Sequence, residues 1–359
     1  MKKNIIFSVN PKDYNENHAG TKAVSDIEIY LKEVGFRTIN LCNRLDNKLN
    51  KVKDIIFNYK KIISNIEEKT LVVYQYPMLG GKLDILITNL YAKAIRSKGG
   101  KNIVVIHDLD SLRYYISSKE DNYIKKEINT LNKYDYIISH NSEMSKWLRE
   151  NGLISKIVDL ELFDYKSENN YGIDYKDKEK NSIAFAGNLN KIKSGFIYKL
   201  NDVLLDNISI SLYGPNYSDE NANKRITYKG VFKPEELGSV INETFGLIWD
   251  GDSIETCSGE IGEYTKYNNP HKLSLYISCG LPVIVWNKSA ISKFVNKNNI
   301  GIVINSISEI HDKISNLDKS NYIQMLKNCE KIRNKVTDGY FIKRAISKIE
   351  KDIREVEGI

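Results

Sequence analysis

Tyr267-Asn268-Asn269-Pro270-His271-Lys272-Leu273-Ser274-Leu275-Tyr276-Ile277-Ser278-Cys279-Gly280-Leu281-Pro282-Val283-Ile284-Val285-Trp286 is the stretch on which the reading of the fold turns. Asn269 suits a helix N-cap, with Pro270 as the first helical residue, because a short polar side chain accepts from orphan backbone N–H groups and proline has none to lose. Gly280 closes the helix, and Pro282 restarts the chain as a buried strand. The free N–H groups at the start of such a helix, and its positive dipole end, stabilise an anion by about 0.3–2 kcal/mol. Lys272, one turn in, adds a point charge suited to a diphosphate.

The same alternation extends to either side. Strands are predicted at 182–186, 208–213, 226–228, 246–249 and 282–286, with helices at 195–205, 234–242 and 272–278. The first half follows the same grammar: strands at 4–9, 37–41, 71–74, 102–106, 136–139 and 156–160, separated by helical stretches at 23–34, 51–66, 83–97 and 121–133. Strand, helix, strand repeated in this way predicts an α/β fold of two Rossmann-like doubly wound domains facing across a cleft. Between them the chain turns polar, Lys166-Ser167-Glu168-Asn169-Asn170 and then Asp174-Tyr175-Lys176-Asp177-Lys178-Glu179-Lys180, with almost nothing to bury. The expected domains are 1–165, a linker at 166–180, and 181–340. A final helix, in 341–359, returns to the first domain.

The length of 359 residues suits about two domains. Hydrophobic residues at 41% and charged residues at 28% are those of an ordinary globular chain and exclude a disordered or membrane-embedded one. The net charge, 53 − 46 = +7, is spread over both halves, so no nucleic-acid partner is expected. Cys42, Cys257, Cys279 and Cys329 lie far apart with no CxxC pair, which fits a reducing cytoplasm and neither a zinc site nor a disulfide framework. The apolar run after Met1-Lys2-Lys3 is too short for a signal peptide and ends at Asn10-Pro11. No segment approaches the ~18 apolar residues of a membrane helix, so no integral membrane segment is expected.

In open α/β sheets ligands bind beyond the carboxyl ends of the strands. The strand at 182–186 runs into Gly187-Asn188-Leu189-Asn190-Lys191-Ile192-Lys193, a glycine turn followed by basic residues, where bare backbone can approach a phosphate. The same residues also suit a plain strand end with surface lysines. Tyr213 ends the next strand, placed to stack on a base or ribose or to sit as a rim tyrosine. In the first domain His107-Asp108 follows a buried run, with Arg113 a few residues on. Asp108 is positioned to take a proton from an acceptor hydroxyl, or to cap a loop beside a structural histidine. The loop Asn15-Glu16-Asn17-His18-Ala19-Gly20-Thr21 precedes a helix, so Gly20 and Thr21 can present backbone N–H groups.

With Ala19-Gly20-Thr21, Tyr74-Gln75-Tyr76-Pro77, His107-Asp108-Leu109-Asp110-Ser111-Leu112-Arg113, Phe185-Ala186-Gly187-Asn188 and Pro270-His271-Lys272-Leu273 in view, the sequence resembles the GT-B glycosyltransferases over nearly its whole length. More narrowly it resembles the glucosyltransferase 3 group, which glycosylates bacterial serine-rich-repeat adhesins. Galactofuranosyltransferase-like proteins share the His-Asp-x-Asp-Ser-Leu-Arg stretch. The resemblance implies transfer of glucose or a related hexose from a UDP-sugar to N-acetylglucosamine on a Ser/Thr-rich protein. It also implies a homo-oligomer, a tetramer in that group. On it, Gly187, Asn188, Lys191, Lys193, Asn268 and Lys272 hold the diphosphate, and Tyr213 contacts the base or ribose. Asp108 is the base, and Gly20, Thr21, Tyr76, His107 and Arg113 line the donor or acceptor.

Glu255 and Glu263 have the Glu-x7-Glu spacing of many retaining GT-B enzymes but stand well before the helix, which has Ser274 and Leu275 where the second carboxylate belongs. Asp108-Leu109-Asp110 and Asp250-Gly251-Asp252 are Asp-x-Asp triplets of the kind that hold Mg²⁺ or Mn²⁺ in GT-A enzymes. The duplicated Rossmann pattern argues instead for GT-B chemistry, in which helix ends and lysines neutralise the diphosphate and no metal cofactor is required. Two other classes fit the architecture: a UDP-sugar epimerase, and a non-catalytic glycoprotein-binding subunit of a transferase complex.

Overall fold

The computed structural model describes residues 4–9, 19–42, 48–77, 81–114, 121–167, 181–202, 207–218 and 225–358. The chain forms two compact units, Met1–Glu161 together with Phe341–Ile359, and Leu162–Tyr340.

The first unit is built on strands β1 (Ile5–Val9), β2 (Arg37–Leu41), β3 (Leu71–Tyr76), β4 (Lys101–Ile106), β5 (Tyr136–Ser139) and β6 (Lys156–Asp159). They form one sheet in the order β2-β1-β3-β4-β5-β6. Neighbouring strands are parallel, so helices must cross over between them, and β3 and β5 are buried along their whole length because both faces are covered. The C-terminal helix Tyr340–Glu357 turns Phe341, Ile342, Ala345, Ile346 and Ile349 inward at helical spacing. Its polar side is tied to this unit by Lys343 to Glu33 at 2.8 Å and Arg344 to Glu161 at 3.0 Å.

The chain changes unit at Glu161 and Leu162, earlier than the polar run at 166–180. The reason is that the residues just before that run are core. Leu162, Phe163 and Tyr165 are buried, the Phe163 carbonyl accepts from Ser274 Oγ at 2.6 Å, and Tyr165 Oη donates to the Pro234 carbonyl at 2.8 Å. Of the expected linker, 168–180 lie outside the described residues.

The second unit has strands β7 (Ser182–Ala186), β8 (Ser209–Tyr213), β9 (Ile226–Gly230), β10 (Phe245–Ile248), β11 (Val283–Trp286) and β12 (Gly301–Ile304). Their order is β12-β11-β10-β7-β8-β9, again parallel throughout. Numbered from β7, this is the doubly wound order 3-2-1-4-5-6, and its topological switch lies between β7 and β10.

Helix His271–Ser278 crosses that switch. A Cβ on Gly246 of β10 would lie 2.3 Å from ring atoms of Tyr276, so only glycine lets the ring lie against the strand. Tyr276 Oη in turn accepts from the Ala186 N–H of β7 at 2.7 Å. One buried tyrosine thus pins the helix to both strands.

The helix starts at His271, one residue later than the capping pattern of Asn269 and Pro270 predicts and one earlier than the 272–278 stretch. Pro270 keeps an extended ψ of 137° and occupies the N-cap position without a side-chain cap bond, and Asn269 is buried at 3% exposure. The predicted helix at 195–205 is instead a short helix Lys191–Ser194, capped by Asn190, and a 3₁₀ segment Gly195–Asp202; 203–206 lie outside the described residues. The backbone tightens there because Gly195 packs against Asp252, where a Cβ would come within 2.8 Å. Strand β12 and the helices Ser142–Glu150 and Lys319–Thr337 are additions to the sequence reading.

Replacing Gly246 by alanine forces the Tyr276 ring off β10. Gly246→Ala should lower stability by about 1–3 kcal/mol, read as a fall in melting temperature.

Candidate functional site

The second unit gathers its chemistry at the switch point. β7 ends into Gly187, and β10 ends into Trp249-Asp250-Gly251. Lys272 reaches in from the first turn of helix His271–Ser278. Its Nζ donates to Asp250 Oδ1 at 2.8 Å and to the Trp249 carbonyl at 3.4 Å, and lies 4.5 Å from the Phe185 ring centroid. The Lys272 and Asp250 side chains are only 12% and 8% exposed.

Glycines make this approach possible. A Cβ on Gly187 would stand 3.0 Å from Lys272 Cε. Gly214, just past β8, has φ +137°, and a Cβ there would lie 1.9 Å from the Gly187 carbonyl oxygen. Asn188 Oδ1 accepts from the Asn190 N–H at 3.0 Å and from Asn216 Nδ2 at 2.9 Å, which holds the turn in shape. Among the described residues two protein oxygens accept from the Lys272 ammonium and the Phe185 ring face lies beside it, next to the bare backbone of Gly187. Asn268 Oδ1, just before the helix, is buried with no hydrogen-bond partner among the described residues.

Of the residues predicted to hold a nucleotide, Gly187 and Lys272 come together, and Asn188 shares their turn. Lys191 is exposed, its Nζ 5.4 Å from the Tyr198 ring centroid, and Lys193 is half-buried. Tyr213 is a correction. It is buried at 2% exposure and its Oη donates to Glu243 Oε1 at 2.8 Å, so it has no face to give a base or ribose. Burial and the neighbouring Glu243 push its phenol well above the usual range. Strand alternation turns this last residue of β8 inward, which its position at the strand end conceals.

Asp250 was absent from the predicted site. In sequence it reads as half of an Asp-x-Asp triplet. The two carboxylates part company: Asp250 is buried against Lys272, whereas Asp252 is exposed and bonded to Ser258 Oγ. The signal that finds Asp250 is its place directly after a strand at the switch, opposite a lysine that opens a helix.

In the first unit, Gln75 Nε2 donates to the Val24 carbonyl at 3.2 Å, which leaves Oε1 to accept from His107 Nε2 at 2.8 Å. Burial pushes His107 down to about 4. His140, just past the next strand β5, bonds the Ile106 carbonyl through Nε2 at 3.1 Å. Its pKa is pushed down to about 3, by burial first and His107 second. Both rings are neutral at pH 7.

Asp108 Oδ2 accepts from Arg113 Nη1 at 2.9 Å, and the two side chains are 37% and 34% exposed. Asp110 points elsewhere, accepting from Tyr123 Oη at 3.1 Å. Tyr76 is a second correction: it is buried, with its Oη donating to Glu127 Oε1 at 2.8 Å, and lines no ligand surface. Gly20 and Thr21 stand inside the first turn of helix Ala19–Glu33, not in a loop before it; 15–18 lie outside the described residues.

The chain matches the family models described as "Glucosyltransferase 3-like, N-terminal domain" over residues 3–162 and "Glucosyltransferase 3-like, C-terminal domain" over residues 183–349. It is 30% identical to the beta-1,6-galactofuranosyltransferase WbbI of Escherichia coli K12, over 97% of this chain and 99% of that protein. To glucosyltransferase 3 of Streptococcus gordonii it is 23% identical, over 90% of this chain and 92% of that one. Among solved structures, sucrose-phosphate synthase from Thermosynechococcus elongatus aligns over 99% of this chain and 100% of that one, with a TM-score of 0.64 at 11% identity. Anabaena HepE in complex with UDP aligns over 97% and 100%, with a TM-score of 0.61 at 11% identity. The chain therefore belongs to the glucosyltransferase 3-like family and is a glycosyltransferase of the GT-B fold.

The buried histidines make the fold acid-sensitive. Both folded pKa values lie below the unfolded value of about 6.5, so the unfolded state binds more protons, and stability is lost as pH falls from there through about 4. Each histidine should contribute a slope of about 1.4 kcal/mol per pH unit in that window. Denaturant midpoints from pH 7 to pH 5 should fall for the parent and fall less steeply for His140→Asn.

Proposed function

We propose that the chain transfers glucose or a related hexose from a UDP-sugar to a glycan hydroxyl, with N-acetylglucosamine on a Ser/Thr-rich protein as the acceptor. The observation that carries this reading is the Lys272 ammonium, buried at the switch point of the second unit against the bare backbone of Gly187 and near Gly214. Such a site suits a diphosphate: a cation, the positive end of a helix dipole, and no side chain on Gly187 in the way of close approach. The UDP-bound HepE structure of the same fold supports uridine diphosphate as the leaving group.

On this reading Gly187, Asn188, Lys191, Lys193, Asn268 and Lys272 hold the diphosphate. The acceptor oxygen forms the new bond to the anomeric carbon while the bond from that carbon to the diphosphate oxygen breaks, and UDP leaves with the electron pair. Asp108 takes the acceptor proton, oriented by Arg113. Lys272 and the helix dipole stabilise the charge that grows on the leaving group. A galactofuranosyl donor is a second reading, favoured by the higher identity to WbbI than to glucosyltransferase 3. A donor panel of UDP-glucose, UDP-N-acetylglucosamine and UDP-galactofuranose, assayed for transfer to an N-acetylglucosamine-bearing peptide and to free saccharides, separates the two. Turnover of none of these donors would overturn both.

Removing Lys272 alone strands the buried Asp250 carboxylate, at a cost of about 3–5 kcal/mol, so the informative variant is Lys272→Met with Asp250→Asn. It should stay folded and bind UDP about tenfold or more weakly by calorimetry. UDP affinity equal to the parent's would defeat the phosphate assignment. Asp108→Asn should leave UDP affinity near normal and lower turnover by about 10²-fold or more.

A further inference from the structure

Helix Lys48–Asn65 of the first unit is inverted along its first turns. At 3.6 residues per turn, Asp54, Asn58 and Ile62 share one side, and all three are buried, at 3%, 4% and 0% exposure. The opposite side carries Val52, Ile56 and Phe57, exposed at 54%, 51% and 53%. The inward polar groups have structural work: Asn58 exchanges two 2.8 Å hydrogen bonds with the backbone of Cys42. The outward apolar groups have none within the unit.

The charge on this helix is as one-sided as its polarity. Its sequence, KLNKVKDIIFNYKKIISN, holds five lysines and one acidic residue, the buried Asp54. Lys53 and Lys60 are exposed on the same side as Ile56 and Phe57, and neither has an ion-pair partner among the described residues. Lys61 is committed to the Asn40 carbonyl at 2.8 Å.

Bulky apolar side chains interleaved with unpaired lysines on one outer face match a flat-lying interfacial helix. We propose that this face docks on an anionic lipid bilayer, with Val52, Ile56 and Phe57 entering the headgroup boundary and Lys53 and Lys60 meeting lipid phosphates. Charge selects this occupant: exposed lysines set among exposed apolar side chains complement anionic headgroups. No described helix is long and apolar enough to cross a membrane, so the attachment is to the surface. The nucleotide site plays no part in this inference.

The test uses the full chain and co-sedimentation with vesicles of phosphatidylcholine, with and without phosphatidylglycerol. Binding should appear on the anionic vesicles, weaken about tenfold or more in Lys53→Gln/Lys60→Gln, and weaken further with added salt. Ile56→Ser/Phe57→Ser should lose binding about as strongly while keeping the parent melting temperature, since both residues are exposed. Phe57→Trp should add a blue-shifted emission on anionic vesicles only. Three results would each overturn the proposal: no binding to either vesicle, binding unchanged in Ile56→Ser/Phe57→Ser, or a parent that self-associates where that variant is monomeric.

Discussion

A lysine and an aspartate held out of water at the switch point of the second sheet set the terms for everything around them. Desolvating two charges costs several kcal/mol per ion, and the attraction between Lys272 and Asp250 offsets this only with close geometry and further hydrogen bonds. The Trp249 carbonyl and the Phe185 ring face supply the additional contacts. Room for the lysine comes from glycine. Gly187 clears its stem, Gly214 allows the turns after β7 and β8 to meet, and Gly251, at φ +109°, lets the chain after Asp250 fold back where a Cβ would lie 2.4 Å from the Ser258 carbonyl. A hydrophobic pair of equal size would fit such a pocket at no electrostatic cost. The charge is therefore better explained by what it meets than by what it stabilises.

The parallel α/β architecture was legible because buried strands are marked by continuous apolar runs such as 71–74 and 283–286. The helix at 271–278 and the glycine turn at 187 were legible because proline and glycine declare backbone geometry locally. What escaped notice depends on side-chain direction and partners distant in sequence. Tyr213 and Tyr76 stand at strand ends, where ligands are expected, yet both turn into the core toward Glu243 and Glu127. Asp250 was hidden in a triplet whose chemistry is set by Lys272, far along the chain. The polar run at 166–180 drew the boundary too late because composition registers what a segment lacks, whereas Leu162, Phe163 and Tyr165 are defined by the core they enter.

The first unit solves a different problem. Its strand ends carry histidines that burial keeps neutral, a carboxylate–guanidinium pair at the surface, and a glutamine whose amide is oriented by a helix carbonyl. Apart from the paired Asp108 carboxylate and Arg113 guanidinium, these groups are neutral. On the proposed reading, these directional donors and acceptors would suit a sugar acceptor, where the second unit's ammonium would suit a diphosphate.

The same contrast limits what the glycine turn can select. An ammonium attracts negative charge with little regard to what hangs beyond it, so on the proposed reading hexoses that differ in one hydroxyl or in ring size would present the same diphosphate to Gly187 and Lys272. Discrimination between such sugars requires donors and acceptors that would be left buried and unpaired by the wrong one. In this scaffold affinity for the donor and choice of its sugar are consequently separable properties, carried by backbone geometry and charge on one side and by a small number of directional side chains on the other.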